Sequence, residues 1–246
     1  MKTIKVVHIF SDKYTDSESP DSAGKGSVQP MNNKRSEVSG AVIRRLPRYY
    51  RCLLRLEEQG TVKISSRELA RIMDLTASQI RQDLNCFGGF GQQGYGYSVS
   101  ALKEEIARIL GLDGRKKMIL LGAGNLGKAI VGSLDFEGSG FDLMAIFDTN
   151  EWVVGSEIRE YPVISTDKLE DFCHEHHPEA AILCIPQEGA ELLVPQLVEL
   201  GVRSFLNFSH YDIDIEFSNV AVENVYIADS LMTLSYRAAA LEEEQE

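Results

Sequence analysis

The 246-residue sequence contains no apolar run approaching the ~20 residues that a membrane-spanning helix needs, so a helical membrane protein is excluded. Its four cysteines, Cys52, Cys86, Cys173 and Cys184, are scattered without C-x-x-C spacing and read as reduced thiols in a cytoplasmic protein. The start, Met1 to Phe10, faintly suggests a secretory leader. Its apolar run is too short for one, contains His8 and lacks a small-residue cleavage site. Enzyme signatures are missing as well. There is no Tyr-x-x-x-Lys pair, no G-x-S-x-G, and no His set beside a carboxylate at a strand end. The run Cys173-His174-Glu175-His176-His177 invites a metal reading, because His174 and His177 share a helix face. Pro178 follows directly and the surrounding helix is acidic and superficial, so no metal site is expected.

Positive charge is scarce overall, and its distribution carries the information. The formal net charge is −12. Residues 1–30 hold 4 basic and 4 acidic groups; residues 31–117 hold 16 and 9, net +7; residues 118–246 hold 5 and 24, net −19. A basic segment joined to an acidic one predicts two domains with different partners. Concentrated positive charge is the footprint of nucleic-acid binding; the bland alternative is a solvated basic face. The length allows one large or two modest domains at ~100–200 residues each. A content of 43% hydrophobic residues suffices for a core.

The most informative stretch is Met118 to Ile130. An apolar strand runs into Gly122-Ala123-Gly124-Asn125-Leu126-Gly127, and a helical pattern follows at once. That is the context a G-x-G-x-x-G match requires. Gly122 makes the turn, Gly124 lets a diphosphate approach the backbone, and Gly127 lets helix and strand pack closely. The helix N-terminus attracts phosphate through its unpaired N–H groups and partial positive charge. A second apolar strand, Leu143 to Phe147, ends in Asp148, 26 residues beyond Gly122. An acid at about that distance accepts from ribose hydroxyls and repels a 2′-phosphate, so NAD(H) is expected rather than NADP(H).

Residues 11–40 have almost no large apolar side chains, and residues 1–40 are read as a disordered extension. The composition changes at Met31, after Pro30, which makes Met31 a candidate true start. A first helix is expected from Leu46-Pro47 to Gly60, with Tyr50, Leu53, Leu54 and Leu56 on its apolar face. Thr61 to Ile64 reads as extended. Ser65-Ser66 caps a helix bearing Leu69, Ala70 and Met73, with Glu68 placed for a capping box. Asp74-Leu75 turns. Thr76 caps a helix from Ala77 to Phe87 with Ile80, Leu84 and Phe87 inward. Two short capped helices joined by a tight turn form a helix-turn-helix. Gly88 to Tyr97 holds five glycines and three aromatics in ten residues, the signature of a β-ribbon wing. Ser98 or Ser100 caps a linking helix to Leu110, and 111–117 is the joint. The 77–87 helix exposes Ser78, Gln79, Arg81, Gln82 and Asn85. Arg suits guanine, and Gln or Asn suits adenine, in the major groove. Arg44, Arg45, Arg48 and Arg51 are placed to hold phosphates around it, and Gln92 and Gln93 sit at the wing tip.

Beyond the glycine turn, strands at 143–148, 180–185 and 203–207 alternate with helices near 166–176 and 187–200. This pattern predicts a parallel sheet with helices on both faces. Asp214 to Val222 reads as a polar connection. A last helix, Val225 to Leu241, carries Ile227, Leu231, Leu234 and Ala238 on one stripe, followed by an acidic tail. Coming after a sheet that looks complete, it needs either a partner or a place folded back on its own domain.

The motifs RLPRYYR, SSRELA, IRQDLNCFG, GYGY, GAGNLG, LCIP, FLNF and VENVYIADSLMTLSY stand in one order from about Arg44 to Tyr236. In this the sequence resembles the Rex-type redox-sensing transcriptional repressors. The resemblance implies an α/β protein with a winged-helix DNA-binding domain at 41–115 and an NAD(H)-binding Rossmann domain at 116–224. It also implies a C-terminal helix and tail, 225–246, swapped onto the other subunit of a homodimer. The implied partner is an inverted-repeat operator in double-stranded DNA, released when NADH binds. The implied phosphate contacts are Gly122 through Gly127, the ribose falls to Asp148, and the nicotinamide end falls near Cys184, Ile185, Pro186, Asn207 and Phe208. Four positions depart from the family's pattern. Ser133 occupies the place of a usual Tyr, and Tyr226 that of a usual Asp, so the family's cross-subunit latch, with Arg51 as the Asp's alternative partner, is replaced. Gln82 and Gln93 stand where basic residues are frequent. The competing readings are an NAD-dependent oxidoreductase and a nucleotide-binding scaffold module.

Overall fold

A computed structural model describes residues 38–88 and 96–243. They fall into two units, Met1–Leu110 and Gly111–Glu246.

In the first unit, helix α1 spans Gly40–Glu58 and buries Val42, Leu46, Tyr49, Cys52, Leu53 and Leu56. It therefore starts six residues before Leu46, and Pro47 lies inside it. Proline in a helix interior removes one hydrogen bond and costs about 3 kcal/mol or more. The stripe that begins at Val42 offsets that loss by burying a further turn. Tyr50 and Leu54, expected on the apolar face, are only half-buried at its margin, while Tyr49 and Cys52 lie inside.

Helix α2, Ser66–Met73, opens on the expected capping box. Ser65 Oγ accepts from the Glu68 amide (3.2 Å), and Glu68 Oε2 accepts from the Ser65 amide (2.9 Å). Asp74 closes it in the left-handed region, φ 51°. Helix α3, Ala77–Asn85, starts where Thr76 Oγ1 accepts from the Gln79 amide (3.1 Å). It ends two residues short of Phe87. Strand β1, Lys63–Ile64, pairs antiparallel with β2, Tyr97–Ser98, which follows the stretch expected to form the wing. The wing tip with Gln92 and Gln93, like most of the 1–40 extension, lies outside the described residues. Helix α4, Val99–Leu110, is opened by Ser98 Oγ, which accepts from the Ala101 amide (3.4 Å). Its Leu102 and Ile106 complete a core with Leu46, Leu53, Leu69 and Ile80.

The second unit is built on seven strands: β3 Lys116–Leu121, β4 Phe141–Asp148, β5 Glu157–Ile158, β6 Tyr161–Ser165, β7 Ala180–Leu183, β8 Ser204–Asn207 and β9 Ala221–Asn224. They lie in the order β5-β6-β4-β3-β7-β8-β9. All pairings are parallel except β5 with β6. Side chains alternate across the sheet as strand geometry requires. Met118, Leu120 and Ile182 pack with Ile130 and Val131 of α5, Asn125–Ser133. Ile119, Leu121, Ala181 and Leu183 pack with Leu169 of α6, Leu169–His176, and with Val194 and Leu197 of α7, Gln187–Glu199. The expected parallel sheet, covered on both faces, is what the structure contains.

The stretch 214–222 is not a plain connection. It holds most of a short helix α8, Ile213–Glu216, and the first half of β9, which pairs parallel with β8. Strands β5 and β6 were likewise not legible. Helix α9, Ile227–Glu243, does not fold back on its own sheet. Ile227, Leu231 and Leu234 are each more than 60% exposed.

Asn207 fixes the far end of the sheet. Its Nδ2 donates to Asn224 Oδ1 on β9 and to the Tyr211 carbonyl, each at 2.8 Å. Its Oδ1 accepts from the Ser209 amide (2.9 Å) and hydroxyl (2.6 Å). Asn207, Ser209 and Tyr211 are buried, so the polar groups of Asn207 have little water to replace these bonds. Asn207→Ala is expected to destabilise the second unit by roughly 2–4 kcal/mol. Urea denaturation would measure the loss, and hydrogen exchange would place it first at β9.

Candidate functional site

The sheet order reverses between β3 and β7: β4 and β6 follow on one side, β8 and β9 on the other. Open α/β sheets bind ligands in the crevice at the carboxyl ends of such a pair of strands. The glycine turn sits there. A Cβ on Gly122 would stand 2.4 Å from the Cys184 carbonyl oxygen, and Gly122 has φ +104°. A Cβ on Gly127 would stand 2.0 Å from the Gly122 carbonyl oxygen. By contrast, nothing lies within 4 Å of a Cβ on Gly124, which is exposed. The three glycines thus divide into two that permit close packing and one that faces open space. Gly124 is also the N-cap residue of α5 and has no side chain to satisfy the first amides. Asn125 and Leu126 form the exposed first turn.

Asp148 ends β4 beside this turn. Its Oδ2 accepts from the Ala123 amide (2.7 Å) and its Oδ1 from the Asn150 amide (2.8 Å). The acid expected to meet ribose therefore also holds the glycine turn. Across the switch point, the Cys184 amide donates to the Leu121 carbonyl (2.8 Å), and the Phe208 amide to the Leu183 carbonyl (3.1 Å). Cys184, Ile185 and Phe208 are half-buried, and Pro186 is exposed as the N-cap of α7. Burial pushes the Cys184 thiol up to about 12, so it stays protonated and weakly nucleophilic. Asn207 is held in the buried network described above, and its side chain is directed to β9 and the 209–211 loop. Ser133 Oγ donates to the Ala129 carbonyl (2.6 Å), and Tyr226 stacks on His210 with ring centroids 5.3 Å apart. Burial, followed by the nearby Asp212, Asp214 and Asp229, raises the Tyr226 hydroxyl above its ordinary value.

In the first unit, Ser78, Arg81, Gln82 and Asn85 are exposed on α3. Gln79 is half-buried, and its Nε2 donates to Asp83 Oδ1 (2.8 Å). Asp83 is fully buried and was not anticipated from sequence, although its place next to Leu84 and three after Ile80 sets it at the edge of the apolar stripe. Arg45 reaches it with two bonds, Nε to Oδ2 (2.6 Å) and Nη2 to Oδ1 (2.7 Å), and Tyr49 donates to Oδ2 (2.9 Å). Arg45 is thus tied to the domain interior. Arg48 donates to the Met73 carbonyl at the end of α2, and Arg81 Nη1 to Ser66 Oγ (3.1 Å). Arg44 is exposed on α1. Arg48, Arg51 and Arg55 line a cavity of about 550 Å3 with Leu56, Ile72 and Met73. Cys173 is buried, His174 lies 3.8 Å from Glu170, and His176 packs on Phe172. Among the described residues no cluster of ligating side chains could hold a metal.

Burial pushes the Asp83 carboxyl up, but the bonds from Arg45, Gln79 and Tyr49 outweigh it and leave it below its usual value. A lowered carboxyl stabilises the fold at every pH above its unfolded value, near 4, and loses that contribution as pH falls through the folded value. Asp83→Asn leaves Arg45 without a counter-charge. It should cost roughly 2–4 kcal/mol and flatten the acid limb of the stability profile. Hydrogen exchange of α1 and α3 amides between neutral pH and pH ~3 would check both effects.

Residues 37–85 match the family described as "Putative DNA-binding protein N-terminus", and residues 113–211 match the "CoA binding domain". Over 205 residues the chain is 50% identical to the redox-sensing transcriptional repressor Rex of Caldanaerobacter subterraneus subsp. tengcongensis, covering 83% of this chain and 91% of that protein. It is 49% identical to that of Clostridioides difficile over 206 residues, 84% of this chain and 97% of the relative. The structure is similar to a crystal structure of RSP in complex with beta-NAD+ and operator DNA. The TM-score is 0.78 at 47% identity, covering 86% of this chain and 97% of the other. It is equally similar, with a TM-score of 0.78 at 44% identity, to RSP in complex with beta-NADH, covering 86% of this chain and 99% of that one. The two halves read from the residues, a DNA-binding helix-turn-helix and a nucleotide fold, are those of its relatives, and the chain belongs to the Rex family of redox-sensing transcriptional repressors.

Proposed function

We propose that the chain represses transcription by holding an inverted-repeat operator as a homodimer and releasing it when NADH binds. Transcription would then follow the NADH/NAD+ ratio. The observation that carries the reading is the exposed, side-chain-free α5 N-terminus at the β3/β7 switch point, with Asp148 beside it, in one chain with the polar face of α3. Gly122 through Gly127 would cradle the diphosphate, Asp148 would meet the adenosine ribose, and Cys184, Ile185, Pro186 and Phe208 would border the nicotinamide. Asn207 would act there through the loop it holds. On DNA, Ser78, Arg81, Gln82 and Asn85 would read bases. Arg44, Arg48 and Arg51 would meet phosphates, Gln93 would reach from the wing, and Arg45 and Gln79 would set the angle of α3. The exposed stripe of α9 is suited to a second copy, as the helix swap requires.

A regulator rather than a catalyst is supported by the half-buried Cys184, whose thiol is raised by burial, and by the lack, among the described residues, of a proton-transfer pair near the nicotinamide end. No helix among the described residues is long and apolar enough to cross a membrane, and the reduced thiols fit a cytoplasmic protein.

Operator DNA followed by fluorescence anisotropy should be released by NADH and not by NAD+. Retention of the operator at saturating NADH would overturn the reading. Asp148→Ala should weaken NADH by about 1.5–3 kcal/mol and leave operator affinity without NADH unchanged. NADPH binding as tightly as NADH to the parent chain, measured by calorimetry, would remove the ribose assignment.

The switch would differ from that of the relatives. A Ser133–Tyr226 bond across subunits is neutral and contributes about 0.5–1.5 kcal/mol, against about 1.5–3 kcal/mol for one involving a charge. Release would rest mainly on closure over the nicotinamide. Tyr226→Asp would give Arg51 an ionic partner, favour the DNA-bound form and raise the NADH concentration needed for release. An unchanged release curve would limit Tyr226 to packing on His210.

A further inference from the structure

Trp152 is the chain's single tryptophan, and it is 95% exposed. An aromatic ring of this size left in water forgoes a large burial of apolar surface, so its position matters. It follows Asp148 by four residues, in a turn built on that acid. Asp148 Oδ1 accepts from the Asn150 amide (2.8 Å) and Asn150 Oδ1 from the Trp152 amide (3.0 Å). The Asn150 carbonyl accepts from the amides of Val153 (3.0 Å) and Val154 (3.1 Å). Val153 packs into the core beside β6, which anchors the turn from below. The other carboxylate oxygen of Asp148 holds the Ala123 amide of the glycine turn (2.7 Å). One acid therefore joins the phosphate cradle to the turn that carries Trp152. These parts lie at the carboxyl ends of β3 and β4, the edge where a dinucleotide's adenosine half rests when its ribose meets the acid.

We propose that Trp152 supplies the stacking face for the adenine ring of the bound dinucleotide, a proposal that rests on the NAD(H) reading of the site. The hydrogen-bonded turn fixes the backbone beneath the indole. The ring, anchored on one side by its backbone and open on the other, gives adenine a π face that ribose and phosphate contacts cannot supply. Stacking of this kind acts on the part that NADH and NAD+ share. It should raise affinity for both and leave their ratio untouched.

The test uses the full chain and ADP, which carries adenine, ribose and diphosphate but no nicotinamide. ADP binding is measured by calorimetry while the Trp152 fluorescence is recorded. Stacked adenine should quench the emission along the calorimetric isotherm. Trp152→Ala should weaken ADP, NADH and NAD+ by a common factor of about ten, within the range for base–aromatic stacking, and Trp152→Phe should restore most of it. ADP that binds without changing the emission overturns the proposal, as does an alanine variant that binds like the parent. An emission shift that follows protein concentration instead of ADP puts Trp152 in a contact between copies and also overturns it. If the parent binds neither ADP nor NADH, the NAD(H) reading fails first and this proposal falls with it. Parent binding with an unresponsive Trp152 leaves the NAD(H) reading standing and removes this proposal alone.

Discussion

The close approach of α5 to the end of β3 is the constraint on which the second unit depends. A methyl group at Gly127 would stand 2.0 Å from the Gly122 oxygen, and one at Gly122 would stand 2.4 Å from that of Cys184. Backbone meets backbone at both points, so no rotamer change could relieve an added side chain. The two contacts pin the end of β3, the start of α5 and the chain beyond β7 against one another. That junction aims the first amides of α5 outward past Gly124, where nothing lies within 4 Å. Open amides at a fixed angle hold an anion without reorganising first. The apolar strands on either side serve to keep the junction rigid. Asp148 adds to that rigidity by holding Ala123, so the acid shapes the glycine turn itself.

The first unit repeats this logic with a charge in place of a steric contact. Asp83 collects bonds from Arg45 and Tyr49 on α1 and from Gln79 on its own helix. A buried carboxylate with one partner would be costly; four bonds from three donors satisfy it. Such a hub fixes the angle between α1 and α3 more sharply than apolar packing, because hydrogen bonds depend on direction. It also withdraws Gln79 and Arg45 from direct contact with DNA. The side chains of α3 left exposed are then Ser78, Arg81, Gln82 and Asn85, the four proposed above to read bases.

What could be read from sequence was whatever is set locally. The capping box at Ser65, the Thr76 cap, the glycine turn and the acid at 148 each follow from a few neighbouring residues, and the structure holds them where the spacing placed them. The misses have physical causes. Pro47 marked a helix start by its local preference, yet the stripe from Val42 pulled the helix back to Gly40. Strand β9, Ala221–Asn224, has only four residues, none of them buried, so its period is too short to register. It exists because Asn207 and β8 offer partners. Asp83 looked like one more polar residue between apolar ones, since its partners lie 34 and 38 residues away in sequence. Long-range polar contacts of that kind leave no periodic trace.

The division of charge now has a mechanical meaning. Residues 118–246 carry a net −19, and residues 31–117 carry +7. The acidic half lowers the attraction of the whole molecule for DNA taken as a uniform rod of phosphates. In the basic half Arg45 is neutralised by Asp83, while Arg48, held on the neutral Met73 carbonyl, keeps its charge. Each phosphate contact contributes about 0.9 to the salt slope of binding, so a small set of cations gives a shallow slope and weak hold on random sequence. Base contacts must then supply a larger share of the affinity for an operator. A repressor of this kind can be dislodged by a coupling of only ~1–3 kcal/mol, because misaligning the base contacts leaves little non-specific attraction to retain it.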